Sequence, residues 1–115
     1  MCTALLAALP ATVLDETRRK TTSEWTAAWG NPVITLACGI PMPASAGPTS
    51  ECLEVNKVGW YAEQAEGGVI FTTLGRDVPV EVRVPTQYSP EANALVDVAA
   101  AITAHDPLHT PCVGS

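Results

Sequence analysis

The residue types best suited to chemistry crowd the end of the chain: His105, Asp106, His109 and Cys112, with the spacing H-x3-H-x2-C. Imidazoles four residues apart on a helix lie on one face and can share a metal ion, with a thiolate as a third ligand. Pro107 falls between the two histidines and breaks any helix there. A cysteine consumed in a disulfide cannot ligate either. The segment is therefore read as exposed tail histidines, and neither a metal site nor a cofactor is expected.

Hydrolytic chemistry needs a Ser, Thr or Cys beside a histidine that a carboxylate orients. Both histidines lie in the tail, and no serine stands in a G-x-S-x-G elbow. Carboxylates are abundant, so that two of them meeting would carry little information, and no catalytic residue is assigned. Arg76 is the most informative single charge, because it follows Gly75 in a turn of a chain with only six cations. Its planar fork suits a carboxylate or phosphate; the plainer role is a turn residue paired with Asp77 or another local acid. Trp60 beside Tyr61, and Trp25 four before Trp29, offer aromatic surface for recognition. In a chain with a single Phe, their plainer role is to anchor core and loops. Arg76 and Trp60 stand as the candidate ligand-binding residues.

Four cysteines, Cys2, Cys38, Cys52 and Cys112, show no C-x-x-C spacing, which disfavours a redox motif or zinc ribbon. Of the three pairings they allow, position favours Cys38–Cys52, closing a Pro/Gly-rich loop, and Cys2–Cys112, tying the two ends. Disulfides place a domain in an oxidising compartment; a cytosolic protein with four free thiols is the minority reading.

The net charge of −6 lacks the basic stripe that nucleic acids and anionic lipid surfaces require. The cluster Arg18-Arg19-Lys20 sits in a polar stretch with Asp15 and Glu16 and reads as a solvated loop. The first apolar stretch, residues 4–9, is too short to span a bilayer, so no membrane insertion by this domain is expected. Export would need a targeting segment upstream of this chain.

These residues have to be positioned by a single domain, residues 1–115, whose core is mostly Ala, Val and Leu. Thr3 caps a short helix that Pro10 ends. Residues 11–26 show no period and read as a connecting loop. Residues 33–38 form a strand, and the proline-rich stretch 39–50 cannot join a central one. Residues 53–62 follow with a turn or bulge at Asn56-Lys57, and a Gly67-Gly68 turn leads to a strand over 69–74. Val78, Val80, Val82 and Val84 then alternate with wet positions in a further strand. Ser89-Pro90-Glu91 starts a helix whose core stripe is Leu95, Val98, Ala99 and Ile102, and Asp106-Pro107 ends it. The expected fold is α+β, a four-stranded antiparallel sheet with an N-terminal and a C-terminal helix packed on it, stapled by two disulfides.

An ordered set of pieces carries a resemblance across nearly the whole chain. They are Cys2 with residues 5–10, Ala28-Trp29-Gly30-Asn31-Pro32, Cys38-Gly39-Ile40-Pro41, Cys52, Val58-Gly59-Trp60, residues 71–76, Val80-Glu81-Val82, Leu95-Val96-Asp97 and Cys112. The chain resembles an actinobacterial family known only as a domain of unknown function, number thirty-five-fifteen. The resemblance implies an exported domain that follows a signal or membrane-spanning segment; it implies no activity, cofactor or catalytic residue. It also implies a glycine where Lys57 stands. The expected function is a secreted or membrane-tethered, non-enzymatic binding or accessory protein of the cell envelope, with an envelope protein or cell-wall component as partner. The alternative is a small envelope enzyme or ligand-binding protein acting on a cell-wall fragment.

Overall fold

The computed structural model describes residues 1–43 and 52–110. Helix α1 (Cys2–Ala8) leads into strands β1 (Thr12–Val13), β2 (Glu16–Arg19), β3 (Thr26–Trp29), β4 (Ile34–Cys38), β5 (Leu53–Val55), β6 (Val58–Ala65), β7 (Gly68–Thr73) and β8 (Val80–Pro85). Two 3₁₀ turns, Thr86–Tyr88 and Glu91–Asn93, precede helix α2 (Ala94–His105). The strands form one eight-stranded sheet in the order β1-β2-β3-β4-β8-β7-β6-β5, antiparallel throughout. This corrects the four-stranded expectation: residues 11–26 hold β1, β2 and the first residue of β3 rather than a loop.

Those strands escape pattern reading for a physical reason. β2 has the sequence ETRR and three of its four residues are exposed, so it shows no alternation. The turn before it is Leu14-Asp15, both in the left-handed region (φ 51° and 64°), although neither is glycine. A distant carboxylate supports that conformation, since Leu14 N–H donates to Asp97 Oδ2 of α2 at 2.9 Å. The basic cluster likewise belongs to structure and not to a solvated loop. Arg18 donates to Leu6 O from both terminal nitrogens at 3.4 Å and lies 5.9 Å over the Trp29 ring. Arg19 donates to Gly30 O at 2.9 Å.

Laid flat, eight strands about 4.8 Å apart would separate β1 from β5 by roughly 34 Å. Yet α2 touches β1 at one edge and β5 and β6 at the other. Its twelve residues rise only about 18 Å. The sheet therefore curls around α2, in the sense that strand twist favours, and α1 packs beside α2. Leu95, Val98, Ala99 and Ile102 are buried against the inner face with Ile34, Leu36, Phe71, Val80, Val82 and Val84. Trp29 and Trp60 are the largest fully buried side chains, whereas Trp25 is half exposed. No helix of the described residues is long and apolar enough to cross a membrane.

A disulfide joins Cys2 to Cys38, with Cα atoms 5.8 Å apart. It overturns the expected Cys38–Cys52 and Cys2–Cys112 pairs; Cys112 lies outside the described residues, and none of the described cysteines is free. The reason is topological. Strands β1 to β3 carry the chain out from α1 and back to β4, which sets the first turn of α1 against the end of β4. Gly39 completes the contact: a Cβ built there would lie 3.7 Å from Cys2 Sγ and 4.0 Å from the Trp25 ring.

Candidate functional site

Pro107 shapes the region where charged groups gather. It disfavours helical backbone at the preceding residue, and Asp106 accordingly leaves α2 in an extended conformation (φ −124°, ψ 96°). The chain after α2 is thereby turned back across the β7–β8 connection, where Arg76 and Leu108 form an isolated antiparallel bridge. Asp77 N–H donates to Pro107 O at 2.9 Å, and His109 N–H and Thr110 N–H both donate to Gly75 O, at 2.6 and 3.0 Å. Gly75 is required here twice over. Its φ is +69°, and a Cβ would strike Thr110 O.

Side chains reinforce this main-chain clasp. Arg76 donates from Nη1 to Asp106 O at 2.8 Å and from Nη2 to Lys57 O at 3.1 Å. Asp106 is 1% exposed, and its Oδ1 accepts the Val78 N–H at 2.9 Å. Asp106 Oδ2 and Arg76 Nε are both buried without a hydrogen-bond partner. Burial pushes the Asp106 carboxyl above the usual carboxylate range, with Asp77 adding to the rise; the Val78 N–H, Arg76 and His109 oppose it. At the surface, His109 Nε2 lies 2.9 Å from Asp77 Oδ1.

The candidates read from the sequence have separate fates. Arg76 holds two main-chain oxygens, where the plainer reading had it paired with Asp77 or another local acid. His109 takes Asp77, while His105 stays in the last turn of α2. Among the described residues no group of three His, Cys, Asp or Glu could hold a metal ion. Trp60 is fully buried, with Nε1 lacking a partner. Beside it lies a cavity of about 230 Å³ lined by Leu53, Trp60, Tyr61 and Ala62.

A second ionisable group was missed in the sequence. The Tyr88 hydroxyl donates to Pro32 O at 2.5 Å and lies 3.5 Å from Glu16 Oε1. Burial first, and then the Glu16 charge, push its phenol up. The three residues are up to 72 positions apart, and only the packing of β2 and the β3–β4 connection against the turn before α2 brings them together.

Chemically, the tail cluster holds an arginine whose terminal nitrogens are spent on carbonyls, a buried acid and a histidine–aspartate pair. The ring nitrogen Nε2 of His109 meets Asp77 Oδ1, a pairing that becomes catalytic only with a nucleophile beside it. A family model described as "Protein of unknown function (DUF3515)" matches residues 1–110. No curated protein and no solved structure matches the chain.

Proposed function

Given that the chain belongs to this family of proteins of unknown function, we propose that it is a non-enzymatic extracytoplasmic domain that binds or assists another component of the cell envelope. The observation that carries this reading is how its reactive groups are employed. Arg76, Asp106 and His109 join the end of the chain to the β7–β8 turn instead of converging on a shared cavity, as a catalytic site would require. The Cys2–Cys38 disulfide supports an oxidising compartment. The acid excess supports a partner other than nucleic acid.

The alternative of a small enzyme or ligand-binding protein acting on a cell-wall fragment calls for Arg76 or carboxylates facing a cavity beside Trp60. The described lining there contains neither. The test is fractionation of cells producing the protein, with thiol alkylation before lysis and again after reduction. Recovery outside the cytoplasm, with Cys2 and Cys38 labelled only after reduction, is the expected result. Cytoplasmic recovery with both thiols reactive would overturn the proposal. Thermal stabilisation by a cell-wall fragment, lost in Arg76→Ala, would move the assignment to the alternative.

A further inference from the structure

Residues 106–110 form a clasp on the β7–β8 turn. Five hydrogen bonds close it: Asp77 N–H to Pro107 O, His109 N–H and Thr110 N–H to Gly75 O, Val78 N–H to Asp106 Oδ1, and Arg76 Nη1 to Asp106 O. At its centre an almost fully buried carboxyl keeps one oxygen without a partner, next to an arginine that keeps Nε without one. A neutral carboxyl tolerates such a place far better than an ionised one. We infer that residues 106–110 form a proton-dependent latch on the β7–β8 turn, closed while Asp106 is neutral and loosened when its carboxyl ionises.

The charges around Asp106 set how the latch responds. Arg76 and Asp77 face it from the turn and His109 from the tail. His105 ends α2 one residue earlier, and Lys57 contributes its carbonyl to Arg76 from the β5–β6 turn. Arg76 and a protonated His109 favour the ionised carboxyl, whereas burial and Asp77 disfavour it, and burial is the largest influence. Ionisation leaves a charged oxygen in a dry site and draws the Arg76 guanidinium from Asp106 O toward Oδ2. That movement gives up the contact holding the tail. The latch thus opens as pH rises.

Hydrogen exchange on the full chain, read by NMR at Asp77, Val78, His109 and Thr110 and corrected for intrinsic exchange, tests the inference. Protection at these amides falls with rising pH by up to about tenfold per unit while Asp106 titrates, and amides in β4 and β8 do not follow. Asp106→Asn keeps an acceptor for Val78 but cannot ionise, so its protection is flat; His109→Gln keeps the slope. Flat protection in the parent chain overturns the latch. A slope that survives Asp106→Asn and vanishes in His109→Gln overturns the role given to Asp106. Should Asp106→Asn not fold, carbon-detected titration of the Asp106 carboxyl in the parent chain decides, because a carboxyl that ionises without any change at the four amides also overturns it.

Discussion

Arg76 holds the main chain of Asp106 and not its carboxyl: Nη1 lies 2.8 Å from Asp106 O, while Asp106 Oδ2 has no partner. An ion pair between them would have fixed both charges and needed no more of either. As built, the arginine works as a main-chain clamp, and burial pushes the carboxyl above its usual range. The consequences of this arrangement, and of the turns and disulfide that support it, can be measured.

Replacing Arg76 by Ala removes donors from Asp106 O and Lys57 O. A loss of about 1–3 kcal/mol is expected, the usual cost of orphaning partly buried acceptors. Arg76→Lys should recover little of it, because one ammonium cannot span two carbonyls held by separate turns. Urea unfolding of both variants measures this; full recovery by lysine would show that charge, and not the fork, matters.

The raised Asp106 carboxyl makes stability depend on pH with a definite sign. Its native state holds a proton more tightly than the unfolded chain does. The resulting stabilisation is complete below an ordinary aspartate value of about 3.9 and is lost as pH rises through the raised one. The stability of the parent chain minus that of Asp106→Asn should therefore fall with rising pH across that window. Chemical denaturation of the pair at a series of pH values from 3 upward provides the curve, and an opposite slope would show that Arg76 governs the carboxyl after all.

Gly75 and Gly67 separate strain from contact. Both have positive φ, at 69° and 81°, but a Cβ at Gly67 meets nothing within 4 Å whereas one at Gly75 strikes Thr110 O. Gly67→Ala should cost the left-handed penalty of roughly 1–2 kcal/mol. Gly75→Ala should cost about 1–3 kcal/mol more, as overpacked sites do, and should remove exchange protection at His109 and Thr110. Thermal melts and NMR of the two variants provide the comparison.

Lys57 occupies the second position of the two-residue turn between β5 and β6, with φ of 73° after Asn56 at 48°. Asn-Gly is the preferred sequence for such a turn, which accounts for the glycine that the family resemblance implies. Lys57→Gly should raise stability by about 0.5–1 kcal/mol, the relief of left-handed strain less the added freedom of the unfolded chain. A denaturation midpoint that fails to rise would mean that the lysine side chain contributes something its backbone geometry does not show.

Reducing the Cys2–Cys38 bond, or replacing both residues by serine, opens a ring spanning 36 positions. The chain-entropy model puts the loss near 4 kcal/mol. Proteolysis without reductant should yield one peptide pair joined through Cys2 and Cys38. A peptide joining Cys38 to Cys52 would contradict the fold in which α1 rests on the end of β4.

Much of the second half of this protein can be read without a structure. The alternation of Val80, Val82 and Val84 and the stripe Leu95, Val98, Ala99 and Ile102 place those side chains in the core, where they are found, while Val78 lies partly buried at its margin. The turn at Asn56-Lys57 joins two strands, as its residue types suggest. These features are local: period and turn chemistry act over a few residues. The strands of residues 12–29 are not local. Leu14-Asp15 turns with help from Asp97, 83 positions away. Arg18 joins the sheet by reaching Leu6 O and the Trp29 face, and exposed ETRR carries no apolar signal.

The candidate site divides in the same way. Sequence alone marked Arg76, His109 and Asp106 as chemically notable and ended α2 at Pro107, because one proline fixes the backbone beside it. Only the fold decided that Arg76 holds carbonyls, that Trp60 lies in the core and that Cys2 meets Cys38. Each of these depends on where a sheet curled around α2 returns distant segments, and that curvature is a property of eight strands together rather than of any one of them.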